Sequence, residues 1–159
     1  MLVLEINDYV KAVASQKSDS IGILNKSILN GKGNLAGLVG EILVREYLKA
    51  EQEESYDYDL SRDGITYDVK TKQVSTAPLG HYECSIAEYQ KGQDCDRYIF
   101  VRVNLTEDKA WILGWIDKDD FFSRAKLVKE GEVDPSNGWT AKVSCYNLPI
   151  SELREIEDL

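Results

Sequence analysis

Basic residues are scarce in this chain. Its 159 residues hold 19 Lys and Arg against 28 Asp and Glu, a formal charge of −9. That balance excludes the broad positive field of a tight, nonspecific DNA binder. Histidine is scarcer still: His81 stands alone, which argues against nucleases and metalloproteases built on histidine. The three cysteines, Cys84, Cys95 and Cys145, are an odd number without close pairing, as expected of reduced thiols in a cytosol. Their spacing from His81 fits no common zinc finger. No apolar run approaches the length of a membrane span, and Met1 to Asp8 is no signal peptide, so a cytoplasmic protein without membrane contact is expected. Repeats and low-complexity segments are absent.

A hydrophobic content of 43% in a chain of this length predicts one domain with a real core, residues 1–159. The stretch 2–29 reads as two short helices separated by Ser15 to Ser20, so residues 1–33 form a helical extension. Gly31 to Asn34 breaks the chain, with Asn34 as an N-cap. Strands are expected over 82–86, 98–104, 110–116 and 140–146, and short helices over 87–94 and 117–128. A C-terminal helix opens at Pro149 or Ile150 and covers 151–159. Strands and helices alternate loosely, which predicts an α/β fold with a mixed central sheet flanked by helices.

Two segments carry chemistry. The first is "YDYDLSRDGITYDVKTKQ", residues 56–73. Alternation over Tyr56 to Leu60 and again over Ile65 to Lys72 predicts two strands, joined at Asp63-Gly64, a strong hairpin signal. A two-residue loop sets Asp59 opposite Asp68; a four-residue loop sets Asp57 there. Either loop puts Asp57, Asp59, Asp68 and Lys70 on one face. Facing carboxylates repel. A divalent cation compensates them naturally, since carboxylate oxygens are the hard ligands of magnesium and manganese. Lys70 would then stabilise charge building on a phosphorus centre. Asp59 is preferred to Asp57 because Asp-Gly sets the shorter loop. Tyr67 and Tyr82 read as core aromatics before base-stacking ones.

The second segment is "LAGLVGEILVREYLKA", residues 35–50, apolar or small almost all round, hence a buried helix. Glu41 is the one charge between Leu35 and Val44. A lone buried carboxylate is costly, so its retention fits a third group aimed at a metal. Gly37 and Gly40 would let the helix come close to the hairpin.

In this order, Glu41 on a helix, Asp59 on a strand and Asp68-Val69-Lys70 on the next strand resemble the PD-(D/E)XK nuclease superfamily. "HYECSIAEYQ", "DCDRYIFVRV", "DPSNGW" and "CYNLPIS" extend the resemblance, over roughly residues 34–150, to uncharacterised phage proteins thought to be such nucleases. It implies a restriction-endonuclease-like core over 34–150 and a magnesium- or manganese-dependent nuclease acting on nucleic acid, with DNA favoured. Glu41, Asp59, Asp68 and the Val69 carbonyl would bind metal, and Lys70 would position or activate the attacking water. A phage-encoded protein would act in the host cytoplasm. Tyr58 stands where the family often has proline. The chain between helix and hairpin is short, so the first strand of the usual core is missing or supplied from elsewhere.

Two other readings fit the sequence: a catalytically inactive nucleic-acid-binding module on the same fold, and an acidic protein-interaction domain. Lys26, Lys32, Arg62, Lys70 and Lys72 are the cations available to a nucleic-acid footprint. A homodimer or a protein partner could supply further positive surface.

Overall fold

The computed structural model describes residues 1–24 and 32–159. A six-stranded mixed sheet organises the chain, in the order β1-β7-β6-β4-β3-β2. Its strands are β1 (Leu2–Glu5), β2 (Glu51–Gln52), β3 (Leu60–Arg62), β4 (Ile65–Gln73), β6 (Arg97–Asn104) and β7 (Lys109–Asp117). Only β4 and β6 run parallel to one another; every other pair is antiparallel. A smaller sheet, β5-β9-β8, is built from β5 (Glu83–Ala87), β8 (Lys126–Val128) and β9 (Cys145–Pro149). Among the described residues three helices accompany the sheets: α1 (Asp8–Leu24), α2 (Lys32–Leu48) and α3 (Lys118–Arg124). The architecture is therefore α/β, with a mixed central sheet. Among the described residues no helix is long and apolar enough to cross a membrane.

Strand alternation sorts two cores. Tyr67 and Val69 of β4 and Ile99, Val101 and Val103 of β6 face the helices, burying Val39, Ile42 and Leu43 of α2 with Val10 and Ala14 of α1. Tyr98 and Phe100 of β6 face the other way, against Phe121 of α3 and Cys84, Ile86 and Leu148 of the small sheet. The expected flanking by helices thus holds for one face, while the small sheet and α3 share the other.

The hairpin forms as the shorter loop requires. Asp63 and Gly64 both have positive φ (52° and 78°), the two-residue arrangement that Asp-Gly favours. The register Leu60↔Tyr67, Ser61↔Thr66 and Arg62↔Ile65 then carries Asp59 to the side of Asp68. The first strand is shorter than its alternation suggests, since 56–59 is bent chain and pairing starts only at Leu60. Between α2 and the hairpin the chain forms the two-residue strand β2, which pairs with β3.

The ends differ more from the sequence reading. The N-terminal stretch is not a helical extension: Leu2–Glu5 pairs with β7, and one helix runs straight through Ser15 to Ser20. Asn7 caps it, its Oδ1 accepting the Val10 amide at 2.9 Å. The second expected helix extends into residues 25–29, outside the described residues. Helix α2 begins at Lys32, so Asn34 lies inside its first turn and is not its N-cap. Helix α3 stops at Arg124, and 126–128 is strand, because Ala125 is extended and feeds the small sheet. The last strand is Cys145–Pro149, five residues beyond the expected start. Residues 151–159 form no α-helix; two 3-10 turns, Ile150–Glu152 and Ile156–Asp158, flank an extended Arg154 that exchanges backbone hydrogen bonds with Trp115 of β7.

Candidate metal and phosphate site

The site lies where β3 gives out. Beyond the Leu60↔Tyr67 pair, no described strand covers that edge of β4, so the backbone from Asp68 onward faces a cleft of about 740 Å³. Asp59, just ahead of β3, closes the first gap: its Oδ2 accepts the Val69 amide at 2.7 Å. In a strand the N–H and C=O of one residue point to the same edge. The Val69 carbonyl therefore looks into the cleft beside Asp59.

Asp68 is 5% exposed and points to the small-sheet face. Its Oδ2 lies 2.6 Å from Lys70 Nζ but accepts no well-directed hydrogen bond. Lys70, two residues on and on the same face, also donates to Gln93 Oε1 at 3.1 Å and sits 5.9 Å over the Tyr98 ring. Glu41 reaches the same cleft from α2, on the far side of the sheet edge. It can do so because Gly40 lies against β4: a Cβ there would meet Thr71 Oγ1 at 2.0 Å. At Gly37 a Cβ would meet nothing, so the close approach belongs to Gly40 alone.

The electrostatics agree with that convergence. Burial, then the charge of Asp59, and further that of Asp68 push the Glu41 carboxyl up to about 7, against the opposing pull of Lys17. Burial first and Asp68 second push Asp59 up to about 6, although the Val69 amide and Lys70 hold it back. Burial raises Asp68 as well, offset by Lys70. Carboxylates that raise one another in a half-dry cleft lack positive charge.

Glu41, Asp59, Asp68, Val69 and Lys70 thus line one cleft. Asp57 does not join them: its Oδ1 accepts the Asp94 amide at 3.1 Å. Glu41 is not isolated, since Lys17 Nζ of α1 stands 3.9 Å from its Oε2 and a quarter of its side chain is exposed. Among the described residues no three His, Cys, Asp or Glu side chains stand together closely enough to hold a metal ion. Asp59 is engaged by the Val69 amide and Asp68 by Lys70. The chemistry of the donors, carboxylate oxygens beside an open-edge carbonyl, nonetheless suits a hard divalent cation that would displace Lys70 from Asp68 Oδ2.

Three residues of the site carry no sequence signal. Lys17 becomes a neighbour of Glu41 only when α1 packs on α2. Gln93, 5% exposed, links Lys70 to the Tyr56 carbonyl through its Nε2 at 2.8 Å, while Lys118 donates to its backbone carbonyl. Arg102 lies on the cleft floor, in register with Lys72. No protein-family model matches the chain, and no curated protein matches it.

Proposed function

We propose that the protein is a metal-dependent nuclease with a restriction-endonuclease-like core. The observation that carries this reading is the meeting of Glu41, Asp59 and Asp68 with Lys70 at the uncovered edge of β4, with all three carboxyls raised by burial and those of Glu41 and Asp59 raised further by neighbouring carboxylates. Asp59, Asp68 and the Val69 carbonyl would hold magnesium or manganese, with Glu41 completing the set or holding a metal-bound water. Such an ion supplies Lewis-acid polarisation of a phosphodiester and a nucleophilic water near neutral pH.

The chain's own groups divide the remaining work. Lys70, positioned by Gln93 and Asp68, aims its ammonium where charge would build on the phosphoryl oxygens. Glu41, poised near neutrality, can take up a proton from water at the cleft mouth. Lys17 tunes Glu41 from outside. Three buried, unpaired thiols fit a reducing compartment such as a host cytoplasm. DNA is the favoured substrate, and a homodimer or protein partner is the natural source of further positive surface for so acidic a chain.

The test is incubation with end-labelled single-stranded, double-stranded and branched DNA and with RNA, with and without magnesium or manganese. Metal-dependent cleavage by the wild type, absent in Asp68→Asn, is expected. Absence of cleavage of every substrate by a protein that still binds metal would favour an inactive binding module.

A further inference from the structure

A second cleft, of about 530 Å³, adjoins the first and shares Lys72, Ser85, Arg102 and Trp139 with it. Its floor is cationic. Arg102 is only 6% exposed, and its Nη2 donates to the Glu83 carbonyl at 2.7 Å. No carboxylate lies within ion-pair distance of it among the described residues. The Cys84 thiol, whose charge would favour the guanidinium, is pushed by burial up to about 12 and stays neutral. Lys72 stands beside Arg102 in the parallel register and likewise has no acidic partner among the described residues. A buried cation without a counter-charge is costly, and in a chain this rich in carboxylates its isolation is a specific arrangement.

The rim is aromatic. Trp139 is 42% exposed, and Tyr82 (41%) packs edge-on against His81 at 4.9 Å. Trp139 is carried on a hydrogen-bonded loop. Asp134, fully buried, accepts from the Ser136 amide, the Ser136 hydroxyl and Asn147 Nδ2. The Asp134 amide donates to the Trp139 carbonyl, and Asn137 Oδ1 accepts the Trp139 amide. Glu83 does lie in this cleft, its Oε2 accepting from Asn137 Nδ2 of that loop. The indole is thus a pre-set platform above a positive floor.

We infer that this cleft seats an unpaired nucleotide of the strand being cut, with its phosphate on Arg102 and Lys72 and its base stacked on Trp139. The inference rests on the nuclease reading for the strand's identity. From Asp68 to Lys72 is about 13 Å along β4, too far for the two to share one phosphate. The cationic pair therefore meets a different phosphate from the one at the carboxylates. A base can reach the indole only when it is out of a duplex, and stacking tolerates any base. The favoured substrate is accordingly a single strand, a flap or a frayed end, without sequence preference.

The test uses the full chain in the Asp68→Asn background with magnesium, so that the strand survives the titration whether or not the wild type cuts it. Trp139 is the exposed tryptophan; Trp111 and Trp115 are buried, so fluorescence quenching reports on the platform. A single-stranded oligonucleotide should quench it and bind at least about tenfold more tightly than the matched duplex. Trp139→Ala should weaken single-strand binding roughly tenfold or more. Lys72→Ala should weaken it and reduce the log–log salt slope by about 0.7. Both side chains are solvent-exposed, so these variants remain informative if Arg102→Gln fails to fold. Equal affinity for duplex and single strand, unchanged affinity in both variants, or no binding at all would overturn the inference. Single-strand binding of this kind by a wild type that cuts nothing would sink the nuclease reading alone. Cleavage of duplex that is indifferent to Trp139→Ala would sink only this inference.

Discussion

The Asp59 carboxylate accepts the Val69 amide at 2.7 Å, at the point where β3 ceases to pair with β4. One side chain thus ends a ladder and stands beside Asp68. The two jobs separate by substitution. Asp59→Asn keeps an acceptor for the amide and removes a charge that raises Glu41, so it should fold and be at least as stable as wild type without metal. Asp59→Ala leaves that amide unpaired and should lose about 1–3 kcal/mol in denaturant melts. Equal stabilities for the two variants would show that the hydrogen bond carries nothing.

Magnesium or manganese should raise the melting temperature of the wild type, since binding to the folded state alone stabilises it by mass action. Asp68→Asn should abolish the shift. A shift of the same size in that variant, measured by calorimetry, would place the metal elsewhere.

Glu41 makes stability fall as pH rises. Its carboxyl goes from an ordinary 4.5 to about 7 on folding, so the folded state holds the proton more tightly. That contribution is fully present below pH 4.5 and is lost as pH climbs through 7, on the order of 3 kcal/mol without metal. Glu41→Gln should flatten most of the slope in urea melts between pH 5 and 8. Asp59, pushed up to about 6, accounts for a shallower remainder. An unchanged profile in the glutamine variant would remove Glu41 from the carboxylate cluster.

Lys70→Ala should leave metal affinity within a few fold and abolish cleavage. Lys70→Arg should not restore it, because a planar fork cannot occupy the point between Asp68 Oδ2 and Gln93 Oε1 that the ammonium fills. Full activity in the arginine variant, scored in the same cleavage assay, would exclude the assigned role.

Gly40 and Gly37 offer an internal control on packing. Gly40→Ala drives a methyl into Thr71, and overpacking of this kind costs about 1–3 kcal/mol. Gly37→Ala meets nothing and should gain up to about 1 kcal/mol from helix propensity. Urea melts should move in opposite directions for the two.

The parts of the site legible in the sequence are those fixed by short-range rules. Asp63-Gly64 dictates its own turn, the turn dictates the register, and the register brings Asp59 to Asp68. Helix α2 announces its burial by apolarity on every side, and Gly40 its closeness to β4. The elements that differ from their local pattern depend on partners far along the chain. "LVLE" is too short to distinguish strand from helix until β7 offers an edge. Residues 126–128 have helix-compatible side chains and become strand because β9 lies alongside. Lys17, Gln93 and Arg102 have no local pattern; packing alone gives them neighbours.

The parallel pairing of β4 with β6 has a consequence for the order of folding. A parallel pair needs a long crossover, and here the crossover carries β5, which pairs some sixty residues later with β9 (Ser85↔Asn147). Closing so large a loop is entropically slow. The α2–β3–β4 unit and its carboxylates draw on nearby chain, whereas the wall that holds Ser85 and Cys145 against the cleft waits for β9. The cleft is thus finished last and opens first. Amides of Ser85 to Ala87 should exchange with deuterium well before those of Ile99 to Val101, so that the protein can lose its binding groove while the central sheet is still intact.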